Sequence, residues 1–231
     1  MKSLTIETKV WNGDWQVVLN PERLRLTFEL NPGNYHRRVL INNVDDLPKV
    51  KEHADRLVRI GLVHEIVVVA EHIEPALNHF NISKESLGKG FVYSSAELVG
   101  LYTCTTEFLC HYASDCWNLH ISDWCSRGMD LLNSDPEISV VNPLWNGEYN
   151  MALLETISRR GVYGIGYGFS DQCYLVRTKE ILGADLNLRH FASSRYPDYG
   201  GELFEKRIDS WMRTHGRFRA NDLSATYFHK A

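Results

Sequence analysis

The 231-residue sequence lacks the short signatures by which many nucleotide-using and hydrolytic enzymes declare themselves. It contains no G-x-x-x-x-G-K-[ST], no G-x-G-x-x-G after a strand, no G-x-S-x-G and no H-E-x-x-H. Its first apolar strand ends in W-N-G-D-W (residues 11–15), which is not a glycine-rich phosphate loop. P-loop and ordinary dinucleotide-binding readings are thereby excluded. A surplus of positive charge is also missing. The 25 basic and 29 acidic residues leave a net charge of −4, against the cationic footprint that nucleic acid requires. The basic residues Lys49, Lys51, Arg56 and Arg59 alternate with Glu52 and Asp55, the pattern of a solvated helix face.

Cysteine pairs are lacking too. The five cysteines (104, 110, 116, 125 and 173) are odd in number and form no C-x-x-C, so free thiols are expected. Cys110, His111, Cys116 and His120 match no zinc-finger spacing, and a strand would turn residues 110 and 111 to opposite faces. No long apolar run occurs. The strongest, Ile66 to Ala70, is of strand length and far below the ~20 residues of a membrane span. MKSLTIETKVWNGDW has neither an unbroken apolar stretch nor a small-residue cleavage site, so no signal peptide is expected and a soluble, cytoplasmic chain is. Without repeats or low-complexity linkers, one domain over residues 1–231 is the expectation.

What is present alternates strand with helix. Strands are expected over 5–11, 38–44, 65–70, 107–112 and 138–141, with one or two more in 163–176 and a last one over 224–229. Helices are expected over 15–30, broken near Pro21, then after Asp45 or Asp46, from Ser94 or Ser95 to Leu101, from Ser122 to Leu132, and from Glu202 to Thr214. This is an α/β pattern with a mostly parallel central sheet flanked by helices. In such sheets ligands bind beyond the carboxyl ends of the strands. The polar strand ends are Asn12 and Asp14, Asn42 to Asp46, Ser114 and Asp115, and Ser170 and Asp171.

Four segments carry candidate chemistry. In EFLCHYASDCW (107–117) an apolar strand delivers Asp115 to the sheet edge, where a carboxylate suits Mg²⁺ or Mn²⁺ on a diphosphate, or caps a loop. In YPDYGGELFEKRIDSWMR (196–213), Phe204, Ile208, Trp211 and Met212 form a helix core face. Glu202, Glu205 and Asp209 lie beside it. A carboxylate in the first turn of that helix could act as general base or simply complement the helix dipole. His229 is a metal ligand if the last strand returns to Asp115. In GYGFSDQCYLVR (166–177), Ser170 and Asp171 interrupt an apolar strand pair, as a turn or as a pocket-facing loop.

The order of these parts resembles the GT-A glycosyltransferases, especially the large inverting family typified by bacterial polysaccharide synthases. RVLINNVDD is similar to that family's second strand, with Asn42 and Asn43 at the nucleotide-base site. SAELVGLYTCTTEFLCHYASDCW resembles the helix and strand that end in D-x-D, here S-D-C with Asp115. ISDWCSRGMDLLNSDPEISVVNPLW resembles the next helix and strand. GGELFEKRIDSWMRTHG resembles the segment bearing the catalytic acid, with Glu202 the better match and Glu205 the second. ATYFHK mirrors the late strand whose histidine, here His229, ligates metal.

The resemblance implies a GT-A-like (Rossmann-like) domain and an inverting, metal-assisted transfer of a sugar from a nucleoside-diphosphate sugar to an acceptor hydroxyl, as in polysaccharide biosynthesis. It implies Mn²⁺ or Mg²⁺ at Asp115 and His229, a catalytic base at Glu202 or Glu205, and a donor pocket lined by Asn12, Asp14, Asn42, Asn43, Ser114, Asp115 and Asp171. The alternatives are a non-catalytic nucleotide- or carbohydrate-binding relative, favoured by the reduced D-x-D, and a sugar-phosphate nucleotidyltransferase, disfavoured by the missing glycine-rich loop.

Overall fold

The structure is a computed structural model that describes residues 3–197 and 201–230. In chain order the elements are β1 (Leu4–Val10), α1 (Trp15–Val18), α2 (Pro21–Phe28), β2 (His36–Ile41), α3 (Leu47–Arg59), β3 (Glu65–Val68), α4 (Val69–His79), α5 (Lys84–Leu87), α6 (Phe91–Thr103), β4 (Phe108–Tyr112) and β5 (Cys116–Asn118). They continue with α7 (Trp124–Ser134), β6 (Ile138–Trp145), α8 (Tyr149–Leu154), β7 (Thr156–Arg160), β8 (Tyr163–Gly166), β9 (Cys173–Arg177), α9 (Thr178–Leu182), α10 (Phe204–Thr214) and β10 (Phe218–His229).

The strands form one sheet in the order β3-β2-β1-β4-β9-β6-β10-β8-β7, with β5 paired to β10. Strands β1 to β4, β6, β7 and β10 run one way, and β5, β8 and β9 run against them. The sheet is therefore mostly parallel. Helices cover both faces. On one side Ile6, Val39, Cys110 and Val141 pack with Leu24, Phe28, Ala54 and Trp124. On the other, Leu40, Leu109, Val140 and Val176 pack with Ala76, Leu98, Ile208 and Met212.

Local chemistry explains the boundaries. The expected 15–30 helix breaks where Asn20 caps the backbone N–H of Glu22 and Pro21 opens α2. Asp46 caps α3 through the N–H of Lys49, and the four basic residues foreseen as a solvated face are exposed on it. Two expectations are corrected. The last helix begins at Phe204, so Glu205 rather than Glu202 occupies its first turn. The last strand is twelve residues long and starts at Phe218.

Strand alternation sends Glu7 and Lys9 of β1, Arg38 of β2 and His111 of β4 toward α6. Register places Glu7 directly beside Arg38 on one neighbour and His111 on the other. Gly100 of α6 lets the helix close over this group: a Cβ there would lie 2.4 Å from Glu7 Oε1. Gly100→Ala is accordingly expected to cost about 1–3 kcal/mol by overpacking, read as a lower midpoint in denaturant unfolding; an unchanged midpoint would contradict the close approach.

Candidate functional site

The carboxyl ends of the parallel strands converge on a cleft of ≈ 860 Å³. Trp11 and Asn12 follow β1, Asn42 and Asn43 follow β2, Ala113 to Asp115 follow β4, and His229 ends β10. Because β9 runs backwards, its amino end meets the same edge and brings Asp171 and Gln172. Glu205, in the first turn of α10, lines the same space, as do Val92 and Tyr93 near the start of α6.

Eight of the residues singled out from the sequence thus line one cleft: Asn12, Asn42, Asn43, Ser114, Asp115, Asp171, Glu205 and His229. Two do not. Glu202 pairs instead with Arg189 (3.0 Å) and Lys206 (3.1 Å). Asp14 precedes α1, where its carboxylate accepts the N–H of Trp11 at 2.9 Å. Burial lifts the Asp14 pKa, against hydrogen bonds from Ser114 and Trp11. Of the two glycines before α10, Gly200 lies outside the described residues, whereas Gly201 has a positive φ of 77° and a Cβ there would lie 2.9 Å from the Leu87 carbonyl oxygen.

The cleft wall is firmly tied. The amides of Asn42 and Asn43 both donate to the Val92 carbonyl at 3.1 Å, and Ser95 donates to Asn42 Oδ1. Asn43 holds a left-handed backbone (φ 48°), which asparagine tolerates better than most residues. Asn12 exchanges hydrogen bonds with Asp45. Arg23 of α2, a residue the sequence reading passed over, donates to the carbonyls of Ser114 (3.2 Å) and Cys116 (2.8 Å) and lies over the Trp117 ring. It braces the loop that carries Asp115.

At the far edge His229 Nε2 is 3.2 Å from Asp115 Oδ2. One donor atom each from Asp115, Cys116 and His229 falls within 4.8 Å of the others. Such a trio can hold a divalent cation.

The floor is electrostatically unusual. Lys9 is the single lysine or arginine lining the cleft among the described residues, in a space that also holds the carboxyls of Asp115, Asp171 and Glu205. It pairs with the fully buried Glu97. His111 lies between Glu7 (2.8 Å) and Glu97 (3.7 Å), and Arg38 holds the other oxygen of Glu7 at 2.5 Å. Burial alone would raise the Glu7 pKa, but Arg38 and His111 hold it below the ordinary value. For Lys9, burial works downward and is outweighed by Glu97, Asp171 and Asp115. Lys9 and Glu97 escaped the sequence reading, although charged residues inside the apolar runs LTIETKV and SAELVGLY were the available signal.

Glu205 is displaced upward in pKa. Burial, then the nearby Asp171 and Glu97, push its pKa up to about 8. Burial and Glu97 likewise raise Asp171, with Lys9 opposing. Between the ordinary 4.5 of Glu205 and about 8, the folded chain retains a proton that the unfolded chain has released. This group's contribution to stability therefore falls as pH rises through that window. Glu205→Gln is expected to flatten that part of the unfolding-midpoint-versus-pH curve; an identical curve would refute the elevated pKa.

No protein-family model and no curated protein matches the chain. Solved structures do. Glucosyl-3-phosphoglycerate synthase from Mycobacterium tuberculosis, in complex with Mn²⁺, uridine diphosphate and glucosyl-3-phosphoglycerate, is similar at 16% identity and a TM-score of 0.50, over 100% of this chain and 72% of that one. The same enzyme with Mn²⁺, UDP-glucose and phosphoglyceric acid gives 15% and 0.51. The 1–349 segment of S. aureus TarS gives 8% and 0.51, and this chain covers 60% of it. Both proteins are GT-A fold glycosyltransferases. At these identities the likeness establishes the fold of this chain as GT-A.

Proposed function

We propose that this GT-A chain transfers a sugar from a nucleoside-diphosphate sugar to an acceptor hydroxyl, with Glu205 as the general base. The observation that carries the proposal is the Glu205 carboxyl itself. It lines the cleft that also holds Asp115 and His229, with its pKa pushed to about 8. A base whose pKa lies near the working pH combines correct ionisation with driving force for proton transfer. Glu202, the better sequence match, is held by Arg189 and Lys206 and is set aside.

In this reading Glu205 takes the acceptor proton as the hydroxyl oxygen bonds to the anomeric carbon and the carbon–diphosphate bond breaks. One displacement inverts the anomeric centre. The charge balance supports a divalent cation with the donor, because the one lysine lining the cleft among the described residues is already paired with Glu97 and leaves a diphosphate without a free cationic partner. Asp115 and His229 would hold that cation, Mn²⁺ or Mg²⁺ in the similar synthase; when bound, it neutralises the charge of the leaving diphosphate. Asn12, Asn42, Asn43, Ser114 and Asp171 would line the donor pocket, with Lys9 beneath it.

The test is Asp115→Ala with UDP as probe, by calorimetry in Mn²⁺. Asp115 is 46% exposed in its side chain, so the variant is expected to keep its unfolding midpoint and lose Mn²⁺-dependent UDP binding. Unchanged UDP affinity would remove Asp115 from this role.

A further inference from the structure

The thiol of Cys116 is unused in the reading above. Strands β5 and β10 run antiparallel with Cys116 directly opposite His229. Residues so placed project to the same face with Cβ atoms ~5 Å apart. Asp115 precedes Cys116 in the chain, and the sulfur lies 3.6 Å from Asp115 Oδ1. A carboxylate oxygen, a sulfur and an imidazole nitrogen are thus gathered within 4.8 Å, at the place where the D-x-D comparison leaves a single carboxylate.

We propose that Asp115, Cys116 and His229 form one cation site, and that the thiol selects borderline-soft divalent ions such as Zn²⁺ and Co²⁺ over Mn²⁺ and against Mg²⁺. The proposal rests on the assignment of Asp115 and His229 to a cation and deepens it. Mg²⁺ demands a near-octahedral oxygen shell. Oxygen, nitrogen and sulfur donors with a position left open are instead the layout of catalytic zinc sites. For a mixed donor set, affinity rises from Mn²⁺ to Co²⁺. On ligation the thiol gives its proton to solvent.

The surroundings add a second consequence. The Trp145 indole N–H donates to His229 Nδ1 at 3.3 Å, which leaves the neutral ring's proton on Nε2, toward Asp115 Oδ2. Metal-ligating imidazoles donate their other N–H outward. Loading at Nε2 therefore moves the ring proton to Nδ1 and breaks the Trp145 contact, so removing that indole donor favours the loaded state.

The chelator-stripped 231-residue chain, titrated with Co²⁺ and followed by absorption, tests this. The expected result is a near-ultraviolet thiolate-to-cobalt charge-transfer band, abolished by stoichiometric Zn²⁺ and unaffected by a large excess of Mg²⁺. Cys116→Ser is expected to lose the band and to bind Zn²⁺ about tenfold more weakly or worse, with an unfolding midpoint near that of the parent. Trp145→Phe is expected to bind Co²⁺ more tightly. Co²⁺ binding that requires Asp115 yet shows no thiolate band overturns the role of Cys116 and leaves the Asp115–His229 assignment standing. So does a Cys116→Ser variant with the band or the Zn²⁺ affinity intact. No binding of Co²⁺ or Mn²⁺ at all overturns both.

Discussion

Glu205→Gln is expected to lower kcat for sugar transfer by about 10²–10⁴-fold while leaving donor binding intact, the range that one positioned acid–base group supplies. The amide keeps the shape of the carboxyl and loses its capacity to accept a proton. The parent's rate should also climb with pH and level off above about 8, where Glu205 is ionised. The measurement is steady-state kinetics with the donor that binds, across pH 6 to about 10, the span on either side of that pKa. A variant with full activity would return the base to Glu202. A variant that loses donor affinity rather than turnover would make Glu205 a binding residue. Elevation of this pKa depends on its neighbours, since Asp171 and Glu97 add their charge to the effect of burial.

The largest stability effect is expected at Arg38. Its guanidinium donates through two nitrogens to Glu7 Oε2 and also reaches the Gly100 carbonyl and Thr103. Both Arg38 and Glu7 are essentially sealed from solvent. Arg38→Met leaves the Glu7 carboxylate buried with the His111 ring as its remaining hydrogen-bond partner, a change that costs about 3–5 kcal/mol in comparable buried pairs. For a chain of this length that is a fall of roughly 6–20 °C in melting temperature, read by scanning calorimetry. A fall of less than about 1 kcal/mol, the scale of an exposed pair, would mean that the group is hydrated and not a sealed network. Acid should weaken the same network. Since Glu7 titrates below 4.5 in the folded chain, the stability it contributes is present above that value and is lost as pH falls through the folded pKa.

The contrast between Glu202 and Glu205 shows how far the sequence could be read. Alternation of apolar runs with amphipathic stretches was enough for the α/β class, the mostly parallel sheet and the sheet edge at which the candidate residues gather. It also brought eight of the ten candidate residues to one cleft. Missed elements were those whose composition imitates something else. β5 is three residues long. α4 follows β3 without a turn residue, so EIVVVA reads as one strand although the helix begins at Val69. The first half of β10 buries Arg219, Asn221 and Asp222, polar residues that read as a loop until Arg127 is seen to neutralise Asp222 at 2.7 Å.

Within the site, helix periodicity placed both Glu202 and Glu205 near a start signal. It could not tell which carboxylate turns into the cleft, because Arg189, which claims Glu202, is thirteen positions away and belongs to no periodic pattern. The Glu7–His111–Glu97–Lys9 chain was likewise hidden. It is assembled by register between strands that are about a hundred residues apart in sequence, and local pattern carries no information on such pairings.

The cleft is proposed to bind a nucleoside diphosphate together with a divalent cation. A thermal-shift screen of the wild-type chain tests it most directly, using nucleoside diphosphates and nucleotide-sugars, UDP and UDP-glucose among them, each with Mn²⁺, with Zn²⁺ and with EDTA. A ligand that binds the folded state raises the melting temperature in proportion to the logarithm of its concentration over Kd. The expected result is a rise with at least one diphosphate that vanishes in EDTA and in Asp115→Ala. No rise with any nucleotide at millimolar concentration, with metal present, would contradict it.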